Sequence, residues 1–222
     1  IGLTVLVAVA AVASYRLGAG IDWWSEHPSA AATPTAHPAP IPSASSEPPM
    51  SGGYAIGPDG VLVRPAEFAA DTYTKPELPE EAKENSERGA EAAAEHYLAL
   101  LVYAWNTGDT QPFADMSSPT SKFASDYIND VNEQYANGWS YGMESNITYV
   151  LRVEPIAANG DDVPEGSILV KFRTETNDGT SCTRTKLQSS SSTYKSTVTF
   201  IMTWRDGGWK EVQGRTVGDN EG

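Results

Sequence analysis

Cysteine, histidine and positive charge are all scarce in this chain. One cysteine, Cys182, among 222 residues rules out an internal disulfide and a thiolate metal cluster. It sits in "DGTSCTRT" with no histidine or helix start beside it, which describes a structural thiol better than a nucleophile. Of the three histidines, His27 and His37 fall in a proline-rich tract and only His96 in a helical pattern, so no histidine zinc site is expected. Lysine and arginine total 15 against 29 acidic residues, for a formal charge of −14 and a pI near 4.5. Nucleic acid is therefore not an expected partner, because phosphate binding needs a basic stripe. Asp161 and Asp162 in "NGDDVPEG" lack the ligand spacing of a calcium loop. No cofactor is expected.

Long apolar runs are also scarce. The single candidate is "IGLTVLVAVAAVASY", uncharged until Arg16 and extended by "LGAGIDWW" to Trp23 and Trp24. A membrane-spanning helix needs about 20 apolar residues, and a tryptophan pair suits the membrane–water interface. Residues 1–24 are thus expected to be a single-span anchor with the lipid bilayer as partner, preceded by further residues since position 1 is not methionine. The rival is a cleaved signal peptide, for which "AVASY" offers the small-x-small site.

Residues 25–75 read as an extracytoplasmic spacer. Seven of the 15 prolines lie between Pro28 and Pro49, and such a tract cannot bury a core. At about 3.1 Å per residue it would hold the next domain tens of ångströms off the bilayer. Within it, "YAIGPDGVLVRP" places two short β-prone runs around a Gly57–Gly60 turn, a candidate hairpin over 54–64.

Residues 76–222 carry the periodic patterns of a globular domain. Ala93, Tyr97, Leu100, Leu101, Ala104 and Trp105 recur at helical spacing, and Gly108 is placed to end that helix. Asp109 or Thr110 can cap a short second helix containing Pro112. A third helix is expected up to Ala136, with Phe123, Tyr127, Ile128, Val131 and Tyr135 on one face. The period then becomes alternating: Ile147, Tyr149, Leu151 and Val153; Ile168, Val170 and Phe172; Val198, Phe200, Met202 and Trp204. Asp206-Gly207 is a two-residue hairpin turn leading to a last strand over 209–216. The fold class expected is α+β, three helices packed on one face of a curved antiparallel sheet of about four strands.

The order of helix, "TGDT" turn, short helix, longer helix and strands ending in "RDGGWKEV" resembles the cone-shaped nuclear-transport-factor-2-like (cystatin-like) fold. More narrowly, "ELPEEAKENSERGAEAAAEHYLALLVYAWNTGDTQPFADMSSP" is similar to an uncharacterised family of actinobacterial exported or membrane-anchored proteins. Members of that family often carry a cysteine pair after an "LS-x-P" turn; here Ser118 to Phe123 has none. The resemblance implies location and shape, and no catalytic residue.

Enzymes of the cone-shaped fold place an aspartate or histidine base and a tyrosine donor inside the cone. The candidate pocket-lining residues here are Tyr97, Trp105, Asp115, Tyr127, Phe200 and Trp204, with His96 at the edge, since neighbouring helical positions point about 100° apart. The strand faces expected inward carry no charge, which suits a packed core or an apolar pocket. Two functions are compatible with these features. One is a non-catalytic, membrane-tethered module binding a protein or cell-envelope partner. The other is a small-molecule binder or isomerase- or cyclase-like enzyme.

Overall fold

A computed structural model describes residues 50–219 apart from Gly52 and Asp161. The expected anchor over 1–24 and the proline-rich tract lie outside the described residues. Among the described residues no helix is long and apolar enough to cross a membrane.

Helix α1 spans Glu87–Thr107, and Ser86 starts it by accepting the Gly89 amide on its Oγ at 3.0 Å. Gly108 ends it in the left-handed conformation, φ 81°, with its amide returned to the Ala104 carbonyl. Asp109 accepts the Gln111 amide at 3.2 Å and so forms the turn into α2, Gln111–Asp115. Helix α3, Lys122–Asn137, starts at Ser121, whose Oγ accepts the Ala124 amide.

Among the described residues nine strands follow in chain order: β1 Met50–Ser51, β2 Tyr54–Ala55, β3 Gly138–Tyr141, β4 Glu144–Pro155, β5 Ile168–Asn177, β6 Thr180–Thr183, β7 Lys186–Ser189, β8 Tyr194–Arg205 and β9 Gly208–Gly218. The main sheet is antiparallel in the order β4-β5-β8-β9. Its inner face, with Ile168, Val170 and Phe172 from β5 and Val198, Phe200 and Met202 from β8, packs on Ala90, Tyr97, Leu101, Phe113 and Val131 of the helices. This is the expected α+β arrangement.

A second sheet, β3-β6-β7, goes beyond the four strands expected. It continues the first: β3 runs into β4 through Gly142, and β5 into β6 through Gly179. Both glycines have positive φ, 71° and 67°, so one long antiparallel ribbon turns a corner there. A Cβ on Gly179 would stand 2.3 Å from the Tyr141 carbonyl oxygen.

The outer surface of this small sheet is covered by residues 54–73, which the sequence assigns to the spacer. A hairpin does form, with Val63 donating to Ala55 and Gly57 to Val61, each at 2.7 Å. It is not free, however. Leu62 donates to the Arg184 carbonyl, and Trp139 Nε1 donates to the Leu62 carbonyl. Phe68 stacks on Tyr141 at 4.1 Å, and Arg64 donates to the Asn106 carbonyl at 2.7 Å. The segment forms a strap, and the folded unit begins at Met50 rather than at 76. The reason is apolar burial: Leu62, Trp139, Tyr141 and Cys182 form a second core that the sheet alone would leave open.

Strand β4 departs from its expected face. Its pairing with β5 slips between Ile147 and Tyr149 and again between Val150 and Arg152. Each bulge reverses the facing of the residues beyond it. Ile147 and Val153 pack on the main core, but Tyr149 and Leu151 are 70% and 49% exposed.

Candidate functional site

The space between α1, α2, α3 and the inner face of the main sheet is where a cone-shaped fold would hold a ligand. Here it is occupied by rings. Tyr97 stacks on Phe113 at 4.4 Å and meets Phe200 edge-on at 5.1 Å; Phe113 lies 5.3 Å from Tyr127, and Phe123 lies 5.7 Å from Phe200. Tyr97, Phe113 and Phe200 have no exposed surface.

A carboxyl group stands among these rings. Glu211 of β9 is fully buried, and it arrives there beside a register shift between β8 and β9 at Ile201/Met202. Its Oε2 lies 3.1 Å from the Tyr97 hydroxyl, and its Oε1 accepts from Ser121 Oγ at 3.1 Å. Burial pushes the carboxyl up to about 7, against the Ser121 and Tyr97 hydrogen bonds, which favour the charged form. Burial, then the Glu211 charge, push the Tyr97 hydroxyl well above its ordinary value.

The Tyr97 hydroxyl also lies 2.8 Å from Ser117 Oγ, and Ser117 donates to the Phe113 carbonyl at 2.8 Å. Either hydroxyl of the Tyr97–Ser117 pair can be the donor. Tyr97 donates to Glu211 Oε2 at 3.1 Å, which links the carboxyl through Tyr97 to Ser117. The contacts run from Glu211 through Tyr97 and Ser117 to the Phe113 carbonyl. This network ties β9, α1, the α2–α3 turn and α3 together, and the backbone reinforces it through Glu211 donating to Met116 and Ser118 donating to Glu211.

The six candidate residues separate in the structure. Tyr97, Tyr127 and Phe200 meet in the ring cluster, and Tyr127 donates to the Leu101 carbonyl at 2.8 Å. Trp105 is buried beside Tyr127, 6.3 Å between ring centres. Trp204 lies at the far end of β8, half-buried and edge-on to Trp209 at 5.4 Å. Asp115 is exposed at the end of α2, accepting Gln111 Nε2 at 2.6 Å, and does not face the interior. Its place as the acidic group is taken by Glu211. The alternation of β9 could have disclosed it, since Glu211 shares a parity with the buried Trp209. His96 is buried, and burial lowers its pKa. Cys182 is fully buried under the strap, its thiol raised by burial and donated to the Arg184 carbonyl.

Two surface depressions, of about 280 and 320 Å³, lie elsewhere: one at the glycine corner between Phe68 and Ser190, the other where the strap hairpin meets the end of α3. Among the described residues no group of three His, Cys, Asp or Glu side chains could hold a metal ion. The arrangement in the cone buries a carboxyl, raises its pKa and packs rings around it.

Residues 66–214 match the profile of a family of unknown function, DUF6318, and the chain belongs to that family. The match starts inside the strap. No curated protein matches the chain. Among solved structures, the chain is similar to an uncharacterised protein with a cystatin-like fold from Caulobacter vibrioides: 13% identity, 59% of this chain and 89% of that one, TM-score 0.39. A nuclear-transport-factor-2-like protein with a cystatin-like fold from Novosphingobium aromaticivorans gives 9% identity, 60% and 84% coverage and a TM-score of 0.37. The intermembrane space region of the chloroplast protein ARC6 gives 11%, 60% and 98%, and 0.42.

Proposed function

We propose that this protein is a membrane-tethered, extracytoplasmic module of an actinobacterial cell envelope that binds or assembles with another envelope component and performs no catalysis. The observation that carries the reading is the filled cone. Its rings are in contact, and the oxygens of its one carboxyl are taken up by Tyr97 and Ser121. Large apolar side chains are instead displayed outside, on the edge strand β4. Exposed apolar groups of that kind are what an interaction surface requires. The tether and the placement rest on the apolar run over 1–24 and the proline-rich tract after it.

A second reading has one observation in its favour: Glu211 beside Tyr97 is an acid poised near neutral pH, as a proton-transferring enzyme would need. It requires the ring cluster to open and admit a substrate.

Native mass spectrometry of the full chain, extracted in detergent from its own host, decides between them. The expected spectrum contains the protein and no small-molecule adduct. A stoichiometric adduct lost in Glu211→Gln would overturn the binding reading in favour of the enzyme. Placement is tested separately: protease added to intact spheroplasts should remove residues 50–219, and protection until lysis would exclude an extracytoplasmic domain.

A further inference from the structure

The outer face of the main sheet differs in charge from the rest of the chain. In a protein with 29 acidic and 15 basic residues, this face gathers Arg152, Lys171, Arg173, Lys195 and Arg215. Four acids share it: Glu154 is engaged with Arg152 at 2.8 Å, Glu175 with Lys195 at 3.2 Å and Asp219 with Arg173 at 2.6 Å, and Glu144 stands opposite Asn177 at the glycine corner, away from the basic row. None of the ion pairs among the described residues takes up Lys171 or Arg215. Those two lie in one cross-strand row with Arg152, separated by Thr199 of β8. The next row holds Tyr149, Arg173, Thr197 and Val217, so apolar groups stand between the cations.

The row ends at β4, the sheet edge. There Tyr149, Val150 and Leu151 are 70%, 42% and 49% exposed in succession. The two bulges flanking them break the ladder, so an added strand would find no regular edge to pair with, and recognition falls to the side chains. A second copy of this face is disfavoured, because an isologous contact would set the cations of one copy against those of the other.

We propose that this face docks an acidic segment of a protein partner. Its carboxylates would sit over the Arg152–Lys171–Arg215 row and its apolar side chains against Tyr149 and Leu151. Tyrosine and arginine are the residues that most often anchor such contacts. The inference rests on the binding reading above and names the partner's chemistry.

The test uses the full chain in detergent and a fluorescent peptide of alternating glutamate and leucine, read by anisotropy. Peptides of lysine with leucine and of glutamate with serine serve as comparisons. The glutamate–leucine peptide should bind and weaken as salt is raised, and the lysine–leucine peptide should not bind. Lys171→Glu with Arg215→Glu should lower affinity by about tenfold or more, and so should Tyr149→Ser with Leu151→Ser. Unchanged melting of both variants shows that they fold. Binding that ignores both variants, or equal binding of the lysine–leucine peptide, would overturn the proposal. So would displacement of the peptide by phosphatidylglycerol vesicles, which would make the anion a lipid, or a dimer that Tyr149→Ser converts to monomer, which would make the occupant a second copy. A silent peptide sinks this surface alone; a small-molecule adduct in the native spectrum sinks the binding reading itself.

Discussion

In the main core, Tyr97, Phe113, Tyr127 and Phe200 come from helices and a strand whose own periodicity already turns them inward. In the strap core, Leu62, Trp139, Tyr141 and Cys182 come from an irregular segment and two four-residue strands. The first core is closed by regular elements on every side and can hold a carboxyl dry. The second is closed by one segment without long regular structure, held by Leu62 donating to Arg184, Trp139 donating to Leu62 and the Phe68–Tyr141 stack. A segment with few regular hydrogen bonds opens locally before the whole domain does. One folded unit therefore has two tiers of stability, and each can be perturbed alone.

The largest effect is expected in the main core. Phe200→Ala should cost about 3–5 kcal/mol, because it empties a site walled by Tyr97 and Phe123, and denaturant unfolding would measure it. A loss no larger than that of a surface mutation would show that the cone can collapse or fill with water.

Next comes the pH dependence set by Glu211. Its carboxyl stands at about 7 in the folded protein against 4.5 in the unfolded chain, so the folded form holds an extra proton between those values. The stability it contributes is full below pH 4.5 and is lost as pH rises through 7, by at most about 3 kcal/mol. His96 acts in the opposite sense, its lowered pKa removing stability as pH falls below its ordinary range. The difference between wild type and Glu211→Gln, measured by unfolding across this range, isolates the carboxyl. Parallel curves would mean that Glu211 is already ionised in the fold.

For the strap, Leu62→Ala should cost about 2 kcal/mol, at the low end for a leucine because the segment can settle. The sharper measurement is thiol labelling of Cys182, which should accelerate well before global unfolding. If labelling and global unfolding kept pace in the variant, the two cores would be one cooperative unit. The smallest effect belongs to Asp109→Ala, about 0.5–1 kcal/mol by calorimetry, since the residue accepts the Gln111 amide and, at 3.5 Å, the Tyr103 hydroxyl in an exposed turn.

The same contrast governs what the sequence discloses. Helix α1, the Gly108 stop, and the alternation of Ile168, Val170 and Phe172 and of Val198, Phe200 and Met202 are written in period and punctuation, and the structure places them accordingly. The strap is not periodic; its Tyr54, Ile56, Leu62, Phe68 and Tyr73 are irregularly spaced among glycines and prolines that read as linker. On β4, bulges at Thr148 and Leu151 carry no glycine or proline to announce them, so Tyr149 and Leu151 read as inward and stand outward. Glu211 is the converse: a charged residue that reads as surface, and is held inside because Tyr97 and Ser121 meet its oxygens while burial raises its pKa.

The strap also sets an order in time. Leu62 and the Trp139 that grips its carbonyl are 77 positions apart, and the second anchor, Arg184, comes later still. At about 5–20 residues per second, synthesis takes roughly 4–15 s to cover the first of these intervals. Throughout that interval the emerging chain presents Tyr54, Ile56, Leu62 and Phe68 with nothing to cover them. The first part of this domain to be made waits for partners made more than 70 residues later.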